Sequence, residues 1–173
     1  MVFYMNVQKV AETDDFNALG EIYAQSWKTA YRGIVPQDYL DDLSGSRWAK
    51  VLSGSTFDAY VIREDGQYIG TSSIGAAREE KMVGWGEIIS IYLLPEYFGK
   101  GYAEPLFKCA VNALCEKGYT NIYLWVLKEN IRAQRFYEKH GFHNSGEAAL
   151  IEIAGAELTE IRYIKNIVTG ETI

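Results

Sequence analysis

A chain of 173 residues that is 48% hydrophobic and 14% aromatic can bury one substantial core, and nothing in it suggests disorder. Its 17 basic and 23 acidic residues give a formal charge of −6, which argues against a broad nucleic-acid surface and is compatible with a cationic substrate. The opening "MVFYMNVQKV" lacks a basic stretch followed by a sustained apolar run, and no run approaches a membrane span, so a cytoplasmic protein without a membrane partner is expected.

The first segment, "FYMNVQKVA", reads as a strand. "TDDFNALGEIYAQSWKTAY" then sets Phe16, Leu19, Tyr23 and Trp27 on one helical face, with Thr13 or Asp14 as cap. After Pro36, "PQDYLDDL" and "RWAKVLSG" are short amphipathic helices separated by Ser44-Gly45-Ser46. "FDAYVIRED" and "QYIGTSSIG" form a hairpin at Asp65-Gly66, a favoured turn pair. "GEIISIYLLP" is nearly continuously apolar, as in a strand buried on both faces, and it feeds a glycine turn and the helix "EPLFKCAVNALCEK", closed by Gly118. "NIYLWVL" is a second buried strand, and "NIRAQRFYEKH" a helix ended by Gly141, with Ala133, Phe136, Tyr137 and His140 on one face. "NSGEAALIEIAG", as hairpin or loop, precedes a last strand, "AELTEIRYIKNI". No repeat, linker or low-complexity tract divides the chain, so one mixed α/β domain over residues 1–173 is expected. Cys109 and Cys115 point to different helix faces and read as buried thiols; with His140 and His143 no better arranged, no metal site is expected.

The turn "YFGKGYAEPLF" raises the question of chemistry. A loop opening a helix aims unpaired N–H groups at one point, where the helix dipole adds positive charge, and Gly99 and Gly101 permit close approach of an anion. A phosphate loop of the Gly-Lys-Ser/Thr type is excluded because Gly101 and Tyr102 follow Lys100, and a dinucleotide fingerprint because Glu104 stands where its third glycine belongs. The turn, together with "LWVLKENIRAQRFYEKHGF", resembles the GNAT superfamily of N-acetyltransferases. The match runs from Gly86 to Phe142, and the flanking element order agrees over nearly the whole chain. The family signature, a Gln or Arg, two residues, Gly, one residue, then Gly or Ala, maps onto Phe98 to Ala103, with Phe98 departing at a polar position.

This resemblance implies a mixed, mostly antiparallel sheet flanked by helices, in which a splayed strand pair holds acetyl-CoA. Its arm would pair with the backbone of Ile91 and Leu93, and its phosphates would meet Gly99, Lys100, Gly101, Tyr102 and Ala103. Asn130 either bonds the cofactor arm or caps the helix after it. Acyl transfer to an amine needs a base near nitrogen and an acid near sulfur. By resemblance Glu87 matches the base, directly or through water; its alternative is a strand-end carboxylate in solvent or paired with a cation. Tyr137, a phenol protonated at neutral pH, matches the acid against an alternative as core. Among Lys100, Arg132, Arg135 and Lys139, Lys100 is the phosphate-facing cation expected. Trp27, Tyr31 and Tyr92 line the acceptor pocket or belong to the core.

The implied reaction is acetyl transfer to a primary amine of a small molecule, peptide or protein, with a homodimer left open. The rival is a non-catalytic acyl-CoA-binding regulatory domain, which would lack acid and base.

Overall fold

The computed structural model describes residues 5–167. The first strand, β1 (Met5–Lys9), is shorter than expected, and Phe3 and Tyr4 lie outside the described residues. Helix α1 (Phe16–Ala30) begins one residue later than its sequence cap suggests: Asp15, not Thr13 or Asp14, accepts from the N–H groups of Asn17 and Ala18. Asp14 has been recruited elsewhere, by Arg63 and by the Tyr68 hydroxyl at 2.8 Å. Leu19 and Tyr23 of α1 are buried, whereas Phe16 and Trp27 at its ends are half-buried.

Two short helices follow, α2 (Gln37–Asp42) and α3 (Gly45–Ser53). The Ser44-Gly45-Ser46 separator turns out to open α3, because two glycines let it pack backbone to backbone on α1. A Cβ on Gly20 would lie 2.1 Å from the Gly45 carbonyl oxygen, so neither position tolerates a side chain.

Strands β2 (Asp58–Glu64) and β3 (Gln67–Ala76) form the expected hairpin, with Asp65 and Gly66 both at positive φ. A 3-10 turn at Glu80–Met82 leads to β4 (Gly86–Leu93), and a second at Pro95–Tyr97 leads through the glycine turn to α4 (Ala103–Glu116). Then come β5 (Asn121–Leu127), α5 (Ile131–Lys139), β6 (His143–Ile153) and β7 (Ala156–Asn166). The segment left open as hairpin or loop is a long hairpin arm, reversed at Ala154 and Gly155, both at positive φ.

The seven strands among the described residues share one sheet, in the order β1-β2-β3-β4-β5-β7-β6. Every neighbouring pair is antiparallel except β4 and β5. Helices α4 and α5 cover one face, where Phe107, Val111, Leu114 and Tyr137 pack with Ile88, Ile122, Leu124 and Val126. On the other face α1 supplies Leu19 and Ile22 against Val61, and Ala24 against Leu127. Cys109 and Cys115 are half-buried rather than enclosed.

Candidate active site

The parallel pair β4 and β5 is joined only at Gly86↔Ile122 and Glu87↔Tyr123. Beyond Glu87 the strands diverge, while β4 continues along β3 and β5 along β7. The divergence starts where β3 and β4 slip register, Ser73 facing Ser90 but Ile74 facing Ile88, so that Ile89 is the extra residue of a bulge. A bulge bends its strand and increases local twist, which turns β4 away from β5. The facing backbone edges in the gap therefore have no strand partner, as a slot for an extended chain requires. This is also why β4, read as buried on both faces, is enclosed at Gly86–Ile88 and only half-buried over the next four residues.

A cavity of about 450 Å³ fills the gap. It is lined by Ile91, Tyr92 and Leu93 of β4, by Trp125 and Leu127 of β5, by Phe98 and Ala103 flanking the glycine turn, by Asn130 and Arg132, and by Trp27, Tyr31, Arg78, Glu87 and Glu160. Tyr137 also faces it. The glycine turn lies between Phe98 and Ala103, at the rim. Gly99 (φ 74°) and Gly101 (φ 90°) are left-handed, and an added Cβ would meet nothing within 4 Å on either. Among the described residues, the N–H groups of Gly99, Gly101 and Tyr102 find no hydrogen-bond acceptor, and α4 has no side-chain cap. Several donors at a helix start with open space before them fit an anion.

The side chain of Tyr102 takes no part in that turn, since its hydroxyl donates to Glu64 and its ring meets Tyr97 edge-on at 5.1 Å. Lys100 lies over the Tyr97 ring at 5.9 Å and is exposed. Near the turn it is Arg132 that reaches the cavity, 4.3 Å over the Phe98 ring, so a guanidinium stands beside the position where the family signature has a polar residue. Asn130 caps α5 through its carbonyl, which accepts from the Ala133 N–H at 3.2 Å, and its amide N–H₂ remains for a ligand. The two roles weighed for it are therefore compatible.

Glu87 is 2% exposed and lines the cavity. Its oxygens accept from Arg78 through Nη2 at 2.5 Å, Nε at 3.0 Å and the backbone N–H at 3.1 Å, and from the Tyr123 hydroxyl at 2.9 Å. The pairing weighed as an alternative for Glu87 is thus present, and Arg78 was not singled out from sequence because it falls in the loop after β3. Burial, and then the bond to Glu87, pushes the Tyr123 phenol well up. Tyr137 is 8% exposed, packed against Phe107 and Phe136, and its hydroxyl bonds to no described residue. Burial raises its phenol, and raises Tyr31 to about 12.

The model of the acetyltransferase (GNAT) family matches residues 17–142, which include the slot, the glycine turn and Tyr137. The chain belongs to the GNAT acetyltransferase family. This acetyltransferase is 28% identical over 153 residues to the uncharacterized N-acetyltransferase YuaI of Bacillus subtilis, covering 87% of each chain. It is 27% identical over 136 residues to the spermidine N(1)-acetyltransferase of Thermoplasma acidophilum, covering 75% of this chain and 83% of that one. Its fold is that of the PaiA N-acetyltransferase of Thermoplasma acidophilum, solved with coenzyme A, at a TM-score of 0.69 and 22% identity over 94% of this chain and 99% of that chain. It is accordingly an acetyl-CoA-dependent acyltransferase. The family match spans both walls of the slot, and the open turn and unpaired strand edges fit the anionic, extended shape of that cosubstrate.

Proposed function

We propose that this acetyltransferase, as one catalytic domain, moves the acetyl group directly from acetyl-CoA to a primary amine, with Tyr137 as general acid and Glu87 as general base. The observation that carries the reading is one continuous cavity with a protonated phenol and a carboxylate facing it. The arm of acetyl-CoA lies along Ile91 and Leu93 with its phosphates toward the glycine turn and Arg132, and strand N–H groups polarise the thioester carbonyl as charge develops there. Glu87 draws a proton from the acceptor ammonium through a water. Arg78, forked onto both carboxylate oxygens, holds Glu87 in place toward that water. The neutral amine attacks, the tetrahedral carbon expels sulfur, and Tyr137 gives its proton to sulfur and regains one from the former amine nitrogen. The relative named for spermidine supports a small amine as acceptor.

Acetyl-CoA, bound only by the native state, should raise the melting temperature by about 5–10 °C at a hundredfold excess over Kd, with ATP and NAD far behind. Equal shifts for all three would count against the reading. An amine panel followed by thiol release then identifies the acceptor.

Glu87→Gln keeps shape and loses basicity, so kcat should fall roughly 10²-fold at neutral pH and recover partly at high pH, where more amine is already neutral. A loss of the same size at every pH would make Glu87 a structural anchor for Arg78.

A further inference from the structure

Among the described residues, four charged ones line the cavity, Arg78, Glu87, Arg132 and Glu160. Arg132 belongs to the cosubstrate end, beside Phe98. Arg78 is committed to Glu87 by a forked pair with both carboxylate oxygens. Glu160 is left over. It stands on β7 opposite Leu127, on the sheet face that also presents Trp125 and Arg162 as neighbours in register. No described residue donates a hydrogen bond to it, and Arg162 is engaged instead with Glu79, at 3.4 Å. Burial raises the Glu160 carboxyl, with Arg78 working against that rise and Glu87 adding to it. A half-buried carboxylate without a donor is unfavourable in the ligand-free protein, and a cation supplied by a ligand removes that penalty.

The reacting nitrogen cannot be that cation. It must be neutral when it attacks, so the charge that satisfies Glu160 has to sit elsewhere on the acceptor and persist through the reaction. The walls suit such a group: Trp27 and Tyr31 meet edge-on at 4.8 Å in the same cavity, and Tyr31 lies close enough to Glu160 to feel its charge.

We infer that Glu160 is a specificity-determining residue that binds a second, non-reacting cationic centre, so that the acceptor class is a diamine or a longer amine with an ammonium or guanidinium a few bonds from the acetylated nitrogen. This rests on direct transfer to an amine in the proposed site, and it adds which amines are preferred and by which residue.

The test compares 1,4-diaminobutane with 1-aminobutane, which differ in one terminal ammonium. The wild-type protein should prefer the diamine by tenfold or more in kcat/KM. Glu160→Gln should bring that ratio to within about threefold of one, through KM for the diamine rather than kcat, and Glu160→Asp should restore part of it. Without ligands Glu160→Gln should melt a few degrees higher, since an unpaired carboxylate has been removed. A wild-type ratio near one would overturn the inference, as would a ratio that survives in Glu160→Gln. A loss falling on kcat for both amines alike would also overturn it, because Glu160 would then take the proton. A second readout needs no turnover: with CoA bound, 1,4-diaminobutane should raise the melting temperature of the wild type more than that of Glu160→Gln. Equal shifts there overturn the role of Glu160. Failure of direct transfer itself would show separately, as acetyl-CoA binding without acetylation of any amine.

Discussion

Gly101→Val should yield a folded protein that has lost acetyl-CoA binding, with Kd raised 100-fold or more. Gly101 sits at φ 90°, a conformation that a β-branched side chain resists at a cost of about 1–3 kcal/mol. Its ideal Cβ position is open, so nothing in the protein itself is struck, and the penalty falls on local backbone shape and on the approach of the ligand. The surrounding core is remote from the change: Leu106 and Phe107, on the first turns of α4, are fully buried and keep the helix docked. The variant should therefore retain its far-ultraviolet circular dichroism and melt only a few degrees lower, while calorimetric titration with acetyl-CoA shows no measurable heat. Wild-type affinity in a folded variant would remove the turn from the binding site, and Gly99, at φ 74°, would be suspect with it.

Tyr137→Phe should lower kcat by about 10²–10⁴ while acetyl-CoA affinity changes less than threefold. The ring is held by Phe107 and Phe136, each with its centroid 5.7 Å away, and none of that packing involves the hydroxyl. Because the hydroxyl bonds to no described residue, its removal should leave stability almost untouched, which isolates the chemical effect. In water a phenol near 10 gives its proton to a thiolate of pKa about 8.5 with a penalty near 2 kcal/mol. The enclosed site raises both groups, since burial disfavours a bare thiolate as it disfavours a phenolate, and the transfer stays near balance. With the phenol raised by burial, the alkaline limb of the pH profile set by this residue should lie above pH 10: the active protonated form persists below its raised pKa and is lost only as pH climbs through it. An equal loss in kcat and in acetyl-CoA affinity would make Tyr137 a binding group instead.

Much of this architecture was legible because the two periods of secondary structure are clean in the sequence. "NIYLWVL" is too short for an ordinary helix and rich in β-branched and aromatic residues, and Gly118 and Gly141, both at positive φ, end their helices. The slot was legible only through family resemblance, because a β4 bulge at Ile89 leaves no mark in an apolar run. Long-range recruitment hid the rest. Asp14 resembles a cap until Arg63 and Tyr68, 49 and 54 residues away, claim its carboxylate. Glu160 carries no signal of its own within "AELTEIRYI", and only the pairing of β7 with β5 carries it into the cavity. Sequence proximity to the glycine turn says nothing of where side chains go: Tyr102 turns its hydroxyl to Glu64 and Lys100 lies over Tyr97, while Arg132, one of four candidate cations, is the one that lines the cavity. Lys139 in that group is paired with Glu104 at 3.1 Å.

The point where β4 and β5 part has an evolutionary consequence. The last residue pair before the opening is Glu87↔Tyr123, and the same two side chains are bonded to each other at 2.9 Å. The fulcrum of the V is therefore also the proposed proton acceptor and its neighbour. A lineage altering Glu87 to suit a new acceptor also gives up the Glu87–Tyr123 side-chain bond at the last pair that joins the two half-sheets. Drift in the cavity lining should then be channelled into positions off the fulcrum, such as Trp27, Tyr31 and Glu160, which can change while the Glu87–Tyr123 junction stays intact.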